Sequence, residues 1–148
     1  GRLNGISMGQ YSSSNWSAQI NAEFKQTNYL NITLSNTYDI TLDTGTVTAN
    51  IELVNALPSA NNVIHMVIME NNVIYPTAPN GITQPDDVMR YMITGTDGQA
   101  ISVGASNTVS MNYGLNPKWV PGECYIVVFI QNPDTKQIFG VERIKVSM

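Results

Sequence analysis

Only one thiol–imidazole pair could form in this chain, because it holds a single cysteine, Cys124, and a single histidine, His65. A cysteine nucleophile needs a lowered pKa and some exposure. Cys124 instead opens an apolar run, Cys124–Ile130, and His65 lies inside another, Val63–Met69. The two residues read as a small buried thiol and a histidine at the polar edge of a strand, so no catalytic residue is expected. One His and one Cys also fall short of an ordinary zinc ligand set. Calcium would need several loop oxygens. Asp39 with Asp43, or Asp86 with Asp87, can supply some, but no EF-hand-like spacing accompanies them. These aspartates read as turn formers, and neither a metal nor any other cofactor is expected. Glycoside hydrolysis requires two carboxylates facing one cleft at a set separation. Glu52, Glu70, Glu123 and Glu142 are available, yet their spacing selects no pair among them. The chain is therefore expected not to be an enzyme.

Aromatic side chains are the better candidates for contact. Tyr38, Tyr75, Tyr113 and Trp119 all fall in or beside turn-rich segments. Exposed aromatics there suit sugar rings or peptide side chains. Trp119 precedes a buried run and reads as a plug at the end of the core. Tyr38 and Tyr75 remain as candidate surface contacts. The triplets Asn15-Trp-Ser17 and Asn31-Ile-Thr33 fit the glycosylation pattern, but with seventeen Asn in the chain such matches arise by chance.

Composition narrows the partners. Hydrophobic residues make up 43% and charged residues only 12%, so the surface must be polar through Asn, Thr, Ser and Gln rather than through charge. The net charge is −4, and the 7 basic residues stand singly with no two adjacent. Nucleic-acid binding is disfavoured, since phosphate neutralisation needs clustered Lys or Arg. Attraction to an anionic membrane surface fails for the same reason. No apolar run approaches the roughly 20 residues of a membrane-spanning helix. A lone cysteine excludes an intrachain disulfide and leaves the compartment open.

The elements that must position these residues are mostly strands. Residues 1–14 are rich in Gly and Ser and are expected to be flexible. Trp16, Ile20 and Phe24 follow a helical period, which predicts a short N-terminal helix over 15–25, although Ala18, Ile20, Ala22 and Phe24 also alternate as a strand would. From residue 29 the period is two. Leu30, Ile32 and Leu34, then Val47, Ala49, Ile51 and Leu53, alternate with polar neighbours as half-buried strands do. Val63–Met69 is nearly all apolar and predicts a central strand covered on both faces. Pro76, Pro79, Gly81 and Pro85 mark a loop. Val88–Ile93 resumes as a strand, Thr96-Asp97-Gly98 signals a tight hairpin into Ala100–Val103, and Val109, Met111 and Tyr113 alternate again. The closing pair, Cys124–Gln131 and Gln137–Val146, turns at Asn132-Pro133-Asp134. Phe139 and Val141 share one parity while Ile144, Val146 and Met148 share the other, which predicts a bulge between Gly140 and Arg143. The sum is an all-β chain: an antiparallel β-sandwich, Ig-like or jelly-roll-like, of about eight strands, forming a single domain over 15–148.

These segments resemble the C-terminal β-sandwich domain of a Bacteroidetes-type outer-membrane lipoprotein family, a domain often found after a thioredoxin-like domain. The resemblance rests on Val67-Ile-Met-Glu-Asn-Asn-Val-Ile74, on Val88-Met-Arg-Tyr91 followed by Gly95 and Gly98, and on Trp119 leading into Cys124-Tyr-Ile-Val-Val-Phe-Ile-Gln-Asn132 with Thr135-Lys-Gln-Ile138 and Val141. The Cys-x-x-Cys redox site of that family belongs to the thioredoxin-like part and has no counterpart here. Where the family often carries His before the strand arginine, Met89 stands before Arg90. The resemblance implies a cell-envelope location, outer-membrane-associated or periplasmic, or a secreted one. It also implies a non-catalytic accessory or interaction role. Such a domain would act through loops or a sheet edge on a protein partner or a neighbouring, possibly thioredoxin-like, domain. The alternative is a carbohydrate-binding module, which would need a concave face or loop rim carrying two or more exposed aromatics beside Asn or Asp.

Overall fold

Alternation with a period of two puts one face of a strand in oil and the other in water, and β3 (Leu30–Asp39), β4 (Thr44–Leu53) and β8 (Ser106–Gly114) follow it rung by rung. In this computed structural model, which describes residues 2–3, 6–7, 18 and 28–147 apart from 78 and 105, they form an antiparallel sheet in the order β3-β4-β8. Its inner face carries Leu30, Val47, Ala49, Ile51 and Tyr113, all buried. Its outer face is a lattice of hydroxyls and amides. Across it Thr46 Oγ1 donates to Asn112 Oδ1, and Thr108 Oγ1 to Asn50 Oδ1, each at 2.8 Å. The helix expected over 15–25 falls, all but Ala18, outside the described residues. Near the start of the chain, β1 (Arg2–Leu3) pairs antiparallel with β2 (Ile6–Ser7).

The second sheet is built around β5 (Asn62–Glu70), whose apolar run is buried along almost its whole length. One side of β5 pairs with β9 (Cys124–Gln131), and β9 with β10 (Ile138–Lys145). The other side takes β6 (Val88–Met92) and then β7 (Gln99–Ile101). The inward faces of the sheets meet in a core whose fully buried members include Ile51, Ile64, Met66, Ile68, Ile126, Val128 and Ile130. Each large side chain contributes roughly 1.5–3 kcal/mol by leaving water. Eight strands in two sheets match the expected architecture. Among the described residues no helix is long and apolar enough to cross a membrane.

Two local expectations are corrected. The Thr96–Gly98 signal does not make a hairpin. β6 and β7 both run antiparallel to β5 along the same edge, as two pieces of one interrupted strand. Between them the chain loops out through Gly95 and Gly98, both at positive φ, while Ile93 N–H still bonds to Met66 O and Met66 N–H to Thr94 Oγ1. Gly98 lies so close to the His65 ring that a Cβ would sit 2.9 Å from its Cε1, which is a packing reason for glycine there. The bulge in β10 falls between Ile138 and Gly140 rather than after Gly140. Phe139 is the extra residue. It turns inward to meet Tyr29 edge-on at 5.3 Å, and Val141 points out, 63% exposed. The parity reading misplaced the slip because it counted Val141 as core.

One side of the sandwich is closed where β10 lies along β3. Asn36 Nδ2 donates to Val146 O at 2.9 Å, and Gly140 sits against Leu30. On the opposite side, β8 and the β6–β7 pair are the edges of their sheets.

Candidate functional site

Register alone decides which loops meet. β3 and β4 end at the rung Asp39–Thr44, β4 and β8 at Thr44–Gly114, β5 and β9 at Glu70–Cys124, and β5 and β6 at Glu70–Val88. The Asn36–Val146 bond ties the two sheets together near these rungs. The connections 40–43, 71–87 and 115–123 therefore all leave the same end of the sandwich.

Each connection is held by short-range polar chemistry. Asp39 Oδ1 accepts the N–H groups of Thr41 and Leu42, and Asp43 adopts positive φ, so Ile40 and Leu42 are left at the turn's tip. In the 71–87 loop, Asn72 N–H bonds to Asp86 Oδ1 and Asp87 N–H to Asn71 Oδ1, both at 2.9 Å. Val73 N–H reaches Pro85 O and Tyr75 N–H reaches Thr83 O, a two-rung ladder that projects the proline-rich tip away from the sheet. Tyr125 donates its hydroxyl to Asp87 at the base. Burial and that bond push the Tyr125 phenol up to about 12.

The third connection is clamped by Glu70. This carboxylate is buried, 4% exposed in its side chain. It accepts Arg90 Nε at 2.7 Å on one oxygen and the Val120 N–H at 2.9 Å on the other. Arg90 in turn lies over the Trp119 ring at 5.9 Å. Trp119 packs partly buried against the core, as expected of a plug.

Between the sheets at this end opens a cleft of about 740 Å³ whose walls include Tyr38, Tyr91, Tyr113, Asp39 and Asn112. Tyr38 donates its hydroxyl to Asp43 Oδ1 at 2.8 Å, and Tyr113 to Asn36 Oδ1 at 2.7 Å, so both rings are fixed. Desolvation, helped by Asp43, pushes the Tyr38 phenol up to about 12. Gly45 makes room for this arrangement, since a Cβ there would strike Thr37 O and the Tyr113 ring.

The apolar surface follows the same geography. Ten large hydrophobic side chains are exposed among the described residues. Eight of them, Ile40, Leu42, Ile74, Tyr75, Ile82, Met89, Tyr91 and Val120, belong to this end or its half of β6. Only Val54 and Val141 lie elsewhere. Scattered exposed hydrophobics need no explanation, but a grouping does.

The fold thus brings Tyr38 and Tyr75 to the same end, Tyr38 on the cleft wall and Tyr75 on the projecting loop. It keeps His65 and Cys124 apart. His65 stacks on Phe129 on the outer face of the larger sheet, at 4.8 Å and 20° between planes. Cys124 faces the core, fully buried five residues upstream of Phe129, roughly 17 Å along the strand at 3.3 Å per residue. Burial pushes its thiol up to about 11, and burial also lowers the His65 pKa. Asp39, Asp43, Asp86 and Asp87 act as turn and hydroxyl acceptors. Among the described residues no group of three or more His, Cys, Asp or Glu is placed to hold a metal. Ile40, Leu42, Ile74, Ile82 and Tyr91 were not singled out from the sequence. The one signal of the four aliphatic residues was an apolar side chain inside a Pro-, Gly- and Asp-rich stretch, whereas Tyr91 sits within the strand pattern Val88–Ile93.

Comparison with known proteins agrees with this architecture. A crystal structure of a domain of the outer membrane lipoprotein Omp28 from Porphyromonas gingivalis is similar with a TM-score of 0.61 and 17% identity, over 82% of this chain and 91% of that one. HBP35 of Porphyromonas gingivalis is similar with a TM-score of 0.73 and 15% identity. That match covers 90% of this chain but only 46% of HBP35, so the chain spans about half the length of that relative. At such identities the likeness is one of fold. No curated protein matches the chain. The family model for the outer membrane protein Omp28, however, matches residues 2–148. The chain therefore belongs to the Omp28 family of outer membrane proteins, as a β-sandwich domain of the cell envelope.

Proposed function

We propose that this domain is a non-catalytic accessory module of the envelope that docks a folded protein partner on its loop end. The partner is a neighbouring domain of the same polypeptide, for which a thioredoxin-like domain is the first candidate, or a separate envelope protein. The observation that carries the reading is the gathering of eight of ten exposed large hydrophobics at one end of the sandwich. Aromatic and aliphatic anchors of this kind supply most of the energy of a protein interface. The carboxylates of Asp39, Asp43, Asp86, Asp87 and Glu123 stand around them, so the complementary surface is apolar at its centre and basic at its rim.

Site-specific photo-crosslinking in envelopes tests this. A crosslinker replacing Tyr75 should trap one defined protein, and one replacing Val54, at the opposite end, should not. With that protein purified, Tyr75→Ala combined with Ile74→Ser should weaken binding at least about 30-fold, the equivalent of roughly 2 kcal/mol at an anchor. Binding that ignores these changes, or equal trapping from both ends, would sink the proposal.

A second reading, a neutral glycan as ligand, is favoured by the cleft alone. Its three tyrosines stand beside Asp39 and Asn112, with no Lys or Arg among its walls. Glycan-array binding abolished by Tyr38→Ala or Tyr91→Ala, and unaffected by Ile74→Ser, would select this reading over protein docking.

A further inference from the structure

Sheet edges are normally protected against pairing with another chain by charge, proline, bulges or covering elements. Three of the edges here are. β10 carries Glu142, Arg143 and Lys145 as well as its bulge, β3 lies along β10, and β6–β7 is short and interrupted. Among the described residues β8 has none of these devices. It is nine residues long, Ser106-Asn-Thr-Val-Ser-Met-Asn-Tyr-Gly114, with no charge and no proline, and it pairs with β4 without a register shift. Leu115 N–H points to β4, where it bonds to Asp43 O. By alternation the backbone groups of the odd residues face β4, while those of Ser106, Thr108, Ser110 and Asn112 point out of the open edge.

From this we infer that β8 pairs antiparallel with β8 of a second copy, about a two-fold axis through Ser110, to join two three-stranded sheets into one of six. The sequence favours a second copy over any other strand because it is close to self-complementary. The register that overlaps all nine residues sets Ser110 opposite Ser110, Thr108 opposite Asn112, and Val109 opposite Met111. Thr–Asn is the cross-strand pair that already bonds at both Thr46–Asn112 and Thr108–Asn50 within this sheet. In those bonds Asn112 uses its carbonyl and Thr108 its hydrogen. The Asn112 amide N–H and the Thr108 oxygen lone pair are left to meet across the axis. Val109 and Met111, only partly buried in one copy, would cover each other. No charge faces its like, as an isologous contact requires.

The intact chain should elute with twice its 16.2 kDa mass in size exclusion with light scattering at tens of micromolar. Ser110→Pro removes an outward N–H without touching the β4 ladder and should yield monomer with an unchanged circular dichroism spectrum. Ser110→Lys and Ser110→Asp should each be monomeric, and mixing the two should restore the dimer. In a Cys124→Ala background, Ser110→Cys should form an intermolecular disulfide under mild oxidation. Paired residues about 5.5 Å apart at Cα are within reach of one another, whereas Thr108→Cys, opposite Asn112, should not crosslink. A chain that stays monomeric to 0.5 mM overturns the inference. So does a dimer that survives Ser110→Pro, or crosslinking from Thr108→Cys but not from Ser110→Cys.

Discussion

Replacing Glu70 by alanine should loosen the loop end more than any other single polar change. The carboxylate is the shared acceptor for two groups from different elements, Arg90 of β6 and the Val120 N–H of the 115–123 connection. Removing one member of a buried ion pair typically costs about 3–5 kcal/mol, because the remaining charge is stranded. Arg90 keeps 27% of its side chain exposed and rests on Trp119, so its share falls below that range, to roughly 2 kcal/mol. The orphaned Val120 N–H adds about 1 kcal/mol. The expected loss is about 3 kcal/mol, a large fraction of the ~5–15 kcal/mol that holds a typical domain. Glu70→Gln retains an acceptor for Val120 but turns an amide towards Arg90, and should cost about half as much. Glu70→Leu with Arg90→Met removes both charges together and should fall within ~1 kcal/mol of the parent. Urea unfolding followed by Trp fluorescence and far-ultraviolet circular dichroism measures all three. A cost below ~1 kcal/mol for Glu70→Ala, or a double variant no more stable than the single, would show that Glu70 does not clamp the loop.

Gly140→Ala should destabilise by ~1–3 kcal/mol through its clash with Leu30, and a double-mutant cycle with Leu30→Ala should be strongly non-additive when read by urea midpoints. Cys124 should resist thiol reagents in the native state, since with a pKa of about 11 only about 0.1% is thiolate at pH 8 and none of the side chain is exposed. Labelling followed by mass spectrometry should track unfolding, and stoichiometric modification within minutes in native buffer would contradict this. The stability contributed by the two phenols should be steady below pH 10 and fall from there towards pH 12. Tyr38 and Tyr125 bind their protons more tightly folded than unfolded, so the folded state loses its advantage as both ionise. Tyr38→Phe and Tyr125→Phe should each flatten that decline in urea titrations run across this range, and an unchanged slope would count against the phenol assignments.

The sheets were legible because burial writes a period into sequence. Alternation in Leu30–Leu34, Val47–Leu53 and Val109–Tyr113, and continuous apolarity in Val63–Met69 and Cys124–Ile130, located the strands and told the one-sided from the two-sided ones. What failed was geometry that depends on which neighbour a strand finds. Gly98 announced a reversal, but the glycine serves a close approach to His65 while the chain continues along β5. The β10 slip was detected from parity and then misplaced by two residues, because Val141 looks like core and faces water. The candidate site was half legible. Tyr38 and Tyr75 stand out as aromatics in turn-rich stretches, and of the two Tyr75 is exposed while Tyr38 packs partly buried against the core. The aliphatic members were passed over because Ile and Leu in a loop carry no mark of exposure until the register is known.

That register also bears on why the two exposed features of this domain are different in kind. At the loop end, side chains are apolar and the backbone is satisfied: Asn71, Asp39 and Asp86 consume the local N–H groups, and Glu70 takes the one at Val120. Along the outer face of β8 the situation is reversed: side chains are polar and solvated, and among the described residues alternate backbone groups lack a strand to pair with. The first surface gains from a partner chiefly by burying area, with its acidic rim favouring a basic surround. The second gains chiefly from backbone hydrogen bonds and demands an extended strand in register. A domain with both can hold one contact through its edge while its loops remain free for another. In the six-stranded dimer, the chain direction of the two β8 strands places the two loop ends at opposite poles. Two such ends on one rigid dimer would give a partner displayed in several copies two simultaneous points of attachment, and avidity without a larger interface.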